Sequence, residues 1–231
     1  MKNHLQFGSK KIEYHLNYSD RKSLGITVTP DLDVLVKAPH GASDDLIREK
    51  LRKRAPWIIK QQGFFLSFHP KTPPRKFISG ETHLYLGRQY LLKVEESESE
   101  SVKLKGKFLL VSTSDKSRVK YLVKDWYLQN AKTKFQKLAK PLIHRFKKHK
   151  VEPTALVLRD MTRRWGSCTP NGKIMLNPEL IKAPKGCIEY VVIHELCHLI
   201  HHDHTQRFID LQTKEMPDWE KWKSKLEKLL A

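Results

Sequence analysis

The 231-residue chain reads as an α+β protein. A β-rich half over residues 1–114, with one helix, precedes a mainly helical half over residues 115–231 that keeps a short sheet. Three observations predict this. Short stretches of apolar/polar alternation broken by Gly, Pro and Asp fill most of the first hundred residues, and alternation with period two marks a half-buried strand. From Asp115 onward apolar residues recur every three or four positions, the period of a helix face. The change of period falls at Ser112 to Ser117, which sets the expected boundary.

The elements follow in order. His4 to Tyr18 alternates and is interrupted at Gly8-Ser9. Leu24 to Thr29 and Val34 to Lys37 flank a Pro30-Asp31 turn and form an expected hairpin. A helix is expected over Ser43 to Gln62, with Ser43 as N-cap and Asp44 and Asp45 in its first turn. Pro70 to Pro74 is an expected loop. His83 to Leu86 and Tyr90 to Val94 flank Gly87-Arg88 as a second hairpin, and Val102 to Ser112 adds one or two short strands. Asp115 to His149 carries apolar residues at helical spacing, with a kink or break expected at Pro141. Strands are expected at Ala155 to Arg159 and Lys173 to Asn177. An apolar helix runs over Lys185 to His202, and a short amphipathic one over Asp218 to Leu230. No internal repeat is visible.

Composition narrows the function classes. Hydrophobic residues at 39% and aromatics at 9% exclude a disordered chain, and 10 Gly with 12 Pro exclude a collagen-like one. Apolar runs such as Tyr190 to Ile193 are far shorter than the ~20 residues that cross a bilayer, so no membrane partner is expected. The N-terminus lacks the apolar core of a secretory signal, which makes the cytoplasm the expected compartment. Three cysteines with no C-x-x-C pair fit neither a disulfide framework nor a Cys-rich zinc site. The net charge is +19, and residues 116–150 carry 12 Lys+Arg against one acid, Asp125. That stretch is an expected docking surface for nucleic acid or another polyanion, bound through phosphates without sequence preference.

The residues that carry chemistry begin at His194-Glu195-Leu196-Cys197-His198. On a helix His194 and His198 are i and i+4, so both imidazoles face one side a turn apart, as two ligands of one tetrahedral Zn²⁺ require. Glu195 lies beside the first ligand and can reach an activated water without ligating the metal. The pattern alone arises by chance in roughly four shuffled sequences per hundred. Two facts strengthen it. The surrounding helix is apolar, so three polar residues in it need a reason. His204 lies six residues beyond His198, where the helix should be ending, and a turning chain can bring it back as a third ligand. Requiring it lowers the chance match to roughly two per thousand. His201 and His202 compete for that position, but a continuing helix would carry His201 away from the metal.

Together with these residues, Arg164-Trp165-Gly166-Ser167-Cys168, Ile174-Met175-Leu176-Asn177, Asp203-His204-Thr205 and Phe208 make the chain resemble the YgjP-like family of zinc metallopeptidases, related to the SprT-like and WLM groups. The resemblance covers nearly the whole chain. It implies a zincin-like catalytic domain in the second half and one zinc ion. His194, His198 and His204 match the family's metal ligands, and Glu195 its general base. The metzincins place a Gly where this chain has His201, and Met216-Pro217 makes a weak Met-turn, so the chain is not a metzincin.

The expected activity is hydrolysis of a protein or peptide substrate, carried out near nucleic acid in one version. Arg163 and Arg164 are candidate oxyanion contacts. The strand Ile174-Met175-Leu176-Asn177 is a candidate exposed edge for an extended peptide. One alternative is a metal-dependent hydrolase of nucleotide phosphoanhydrides, which the charge favours and the lack of a Walker-type Gly-rich loop disfavours. The other is a non-catalytic nucleic-acid-binding protein with a structural metal.

Overall fold

A computed structural model describes residues 2–29, 31–66, 75–161 and 164–230. Pro30 of the first expected turn, the expected loop at residues 70–74 and Arg163 lie outside the described residues. The chain divides into two compact units, residues 1–73 and 74–230.

The first unit holds β1 (Lys2–Phe7), β2 (Lys10–Ser19), β3 (Gly25–Val28), β4 (Val34–Pro39) and α1 (Asp44–Leu66). Its sheet has the order β1-β2-β4-β3. The pairs β1/β2 and β3/β4 are antiparallel hairpins, and β2/β4 is parallel. Ser43 Oγ accepts from the Leu46 amide and opens α1, as its position as N-cap implies. Ile47, Leu51, Ala55 and Ile58 lie along one stripe of α1 and close a core with Ile12, Val34 and Val36.

The second unit begins with β5 (Thr82–Tyr85), β6 (Arg88–Glu95), β7 (Ser101–Lys105) and β8 (Phe108–Ser112), and continues into α2 (Val119–Phe146). This sheet has the order β5-β6-β8-β7, again with two antiparallel hairpins joined by a parallel pair. The sequence shows no repeat, yet the two sheets share strand order and pairing sense, and each is followed by a long helix. Topology of this kind needs only matching alternation and turns, so unrelated side chains can specify it twice.

The rest of the second unit comprises β9 (Ala155–Leu158), β10 (Gly166–Cys168), β11 (Lys173–Leu176), α3 (Lys185–Cys197), α4 (Gln206–Glu215) and α5 (Trp219–Leu230). The three strands form a sheet of order β10-β11-β9. Helix α2 buries a residue every three or four positions, including Val119, Val123, Ala131, Phe135 and Phe146. These share one core with Leu109 and Val111 of β8 and with Ile188 and Val192 of α3. The boundary expected at residue 114 therefore falls inside the second unit. The tip of the β5/β6 hairpin is also tied in, because the Leu86 and Gly87 amides donate to the Ile181 and Lys182 carbonyls at 2.8 and 3.0 Å.

Several expectations change. Helix α2 runs through Pro141, which sits on its exposed side. Burial of Ala139, Leu142 and Phe146 on both sides of the proline offsets the lost backbone hydrogen bond. Helix α3 ends at Cys197 rather than near residue 202, so the chain turns earlier than its apolar pattern suggests. The strand Lys173–Leu176 is the middle strand of its sheet, not an edge. Among the described residues no helix is long and apolar enough to cross a membrane.

Candidate metal centre

Helix α3 is apolar almost all round, and all but three of its 13 residues are buried. It can be so because β10, β11, α2, α4 and α5 pack around it. His194 lies in its last turn and His198 is its C-cap, so their i/i+4 spacing places both rings on one side. The chain then turns through residues 198–205 and enters α4, and His204 returns to the same place. The ligand nitrogens of His194, His198 and His204 all lie within 4.8 Å of one another.

The second ring nitrogens fix the tautomers. His194 Nδ1 donates to Gln212 Oε1 at 2.8 Å, and His198 Nδ1 donates to the His201 carbonyl at 3.1 Å. Each leaves its Nε2 without a proton and free to ligate. His194 Nε2 faces His204 Nε2 at 3.1 Å. Two nitrogens bound at about 2.05 Å to one tetrahedral ion stand about 3.3 Å apart, so this donor set fits a zinc ion with one position left open. Burial holds His194 down to about 4 and lowers His198 as well, which in both favours the neutral imidazole that a metal binds.

Beneath the rings lies Phe208 of α4, fully buried, with its ring centroid 4.6–5.0 Å from all three imidazoles. Gln212, one turn further along α4, is 1% exposed. Helix α4 is anchored at its end by Glu215. Its buried carboxylate meets Lys148 Nζ at 2.8 Å and His149 Nε2 at 2.9 Å, and Arg145 Nη2 donates to its carbonyl. No motif in the sequence marks Gln212 or Glu215. The signal for Gln212 was faint: a polar residue four positions after Phe208, on the stripe that α4 buries.

Glu195 is 4% exposed and reaches the same cavity, a cleft of about 760 Å³. Burial pushes its carboxyl up to about 8, opposed by the charge of Arg164. Gly166 of β10 lies against it: a Cβ there would stand 2.5 Å from Glu195 Oε1 and 2.8 Å from Val191 Cγ1. Only glycine lets the strand approach this closely.

The other candidates divide. Arg164, Gly166, Ser167 and Cys168 line the cleft, as does His202. Ile174 is fully buried, and Met175 lies on the other face of β11, where its sulfur accepts from Arg159. Asn177 is buried, and its side chain is committed to backbone: it donates to the Met161 and Arg164 carbonyls and accepts from the Glu179 amide. The structure does not bring these three to the cleft. Asn177 instead holds the segment that carries Arg164. The edge beside the metal site is β10, which pairs only with β11 among the described residues.

The family model described as YgjP-like, metallopeptidase domain, matches residues 22–229. Among solved structures, the metallopeptidase zymogen abylysin of Pyrococcus abyssi is similar at 20% identity and a TM-score of 0.36, over 40% of this chain and 94% of that one. No curated protein matches.

Proposed function

The chain belongs to the YgjP-like metallopeptidase family, and from that premise we propose that it cleaves peptide bonds with one zinc ion held by His194, His198 and His204. One observation carries the reading: three imidazole nitrogens within 4.8 Å of one another, next to a buried carboxylate. Bound there, zinc would act as a Lewis acid and bring the pKa of a water down towards ~7.

The chain's own residues then do the following. The charge of a bound divalent ion would offset the effect of burial and leave Glu195 ionised; it then takes the proton of the attacking water and passes it to the departing amine nitrogen, as the C–O bond forms and the C–N bond breaks. Its buried setting suits a carboxyl that must hold a proton briefly. Gln212 and the His201 carbonyl keep the ligand rings oriented. Arg164 reaches the cleft with a positive charge for the carbonyl oxygen that becomes anionic. The free edge of β10 pairs with an extended substrate, the role expected from sequence for Ile174 to Asn177.

Peptide cleavage by wild type, by chelator-treated protein and by Glu195→Gln tests this. The expected result is loss of activity on chelation and a fall of about 10²–10⁴ in Glu195→Gln with metal retained. Phosphate release from nucleoside triphosphates with no peptide cleavage would overturn it in favour of a phosphoanhydride hydrolase. A protein inactive on both, with metal bound, would leave the metal structural.

A further inference from the structure

The first unit carries a groove of about 590 Å³ that the peptidase reading does not use. One wall is helix α1, which presents Lys50, Lys53, Arg54 and Trp57. These are spaced i, i+3, i+4 and i+7, so they share one face beside the buried stripe. The other wall is Leu24 and Ile26, just before and within β3, an edge strand of its sheet. Trp57 is 38% exposed although tryptophan is a residue that folding tends to bury.

We propose that this groove binds single-stranded nucleic acid, with Lys50, Lys53 and Arg54 on the phosphates and Trp57 stacked on a base. The charge selects an anion: three cations line the groove and no acid does. Lys53 pairs with Glu49 at 4.0 Å, both side chains being exposed, and so weak a pair gives way to phosphate. From Lys50 to Lys60 helix α1 has five Lys+Arg and no acid. The aromatic selects unpaired bases, since a stacking face is of use only to a base outside a duplex. Cations around an aromatic platform are the recurring means of holding single strands without sequence preference. Lys50 to Trp57 covers about 10 Å of helix axis, more than one nucleotide.

The second unit offers a contrast. A cavity beside α2 collects Arg75, Lys124 and Lys182, but Asp125, Asp160 and Glu179 line it too and cancel the charge. The expectation that residues 116–150 form the polyanion surface is thus a distinct alternative, and one experiment separates them.

A fluorescein-labelled oligothymidylate is titrated with the full chain over a series of salt concentrations, reading anisotropy. Wild type is expected to bind with steep salt dependence. Lys50→Glu, Lys53→Glu and Arg54→Glu combined should weaken binding at least ~10-fold and reduce the salt slope by about 2, since each phosphate contact on a single strand contributes about 0.7. Trp57→Ala should weaken binding about five- to hundredfold with little change in slope. Should Trp57→Ala melt early, Trp57→Phe serves instead: wild-type tryptophan emission should be quenched by the oligonucleotide, and that quenching should shrink in Trp57→Phe. Charge reversal at Lys120, Lys132 and Lys137 on α2 should have a smaller effect than the α1 triple. The proposal is overturned by absence of binding at low salt. It is also overturned if the α1 triple retains wild-type affinity. Preferential binding of a polyglutamate peptide, insensitive to Trp57, would place an acidic protein in the groove and overturn it as well.

Discussion

The two four-stranded sheets have the same order and the same pairing, yet the helix that follows each does different work. Helix α1 closes a core with its own sheet, through Ile47, Leu51, Ala55 and Ile58. Helix α2 covers its sheet and at the same time supports α3, the helix that carries His194, Glu195 and His198. The same topology closes its own core in one place and is the footing of the candidate metal centre in the other. The two differ in how far the buried stripe extends along the helix. Among the described residues the buried ones of α1 run from Ile47 to Ile58, whereas those of α2 run from Val119 to Phe146.

This contrast can be broken by substitution. Phe135→Ala removes a fully buried ring from the core shared by α2 and α3. It should destabilise the second unit by about 3–5 kcal/mol and lower metal retention and peptide cleavage with it, read by calorimetry and activity on one sample. Leu51→Ala should cost the first unit about 3 kcal/mol and leave the metal centre loaded. If Leu51→Ala also abolishes metal binding, the two modules do not fold as separate cores.

Glu215 sharpens the comparison, because only the second unit depends on it. Burial pushes its carboxyl up, but the hydrogen bonds from Lys148 and His149 and the charge of Arg145 outweigh this and hold it below the ordinary value. A depressed carboxylate stabilises the fold fully above its unfolded pKa of about 4.3 and loses that contribution as pH falls through the folded value. Thermal melts from pH 6 downward should show the second unit losing stability below about pH 4. Glu215→Gln should cost about 2–3 kcal/mol at neutral pH and flatten that acid limb. The smallest effect expected is Gln212→Leu, which leaves the fold but frees the His194 ring. Zinc affinity should fall about 10–100-fold in a competitive chelator titration.

Much of this was legible in the sequence because it is local. The i/i+4 histidines, the hairpin at Gly87-Arg88, and the Ser43 cap each depend on residues a few positions apart. His204 was legible because a helix must end before it. The missing parts depend on distant partners. Strand β10 is only Gly166, Ser167 and Cys168, with little intrinsic preference for extension, and is a strand because β11 pairs with it. The edge expected at Ile174 to Asn177 lies inside the sheet for the same reason. Asn177 closes that expected edge, yet its amide is spent on three backbone groups. A change of period at 112–117 marks where strands give way to helix, whereas a unit is set by a shared core, and Leu109 and Val111 share theirs with Val123.

The most direct test is elemental analysis of protein purified without chelators, alongside His204→Ala. The expected result is one zinc per wild-type chain and a large loss of zinc in a His204→Ala protein that still melts cooperatively. Wild type that is metal-free and takes up no added zinc, or His204→Ala that holds zinc as tightly as wild type, would contradict a centre built from these three imidazoles.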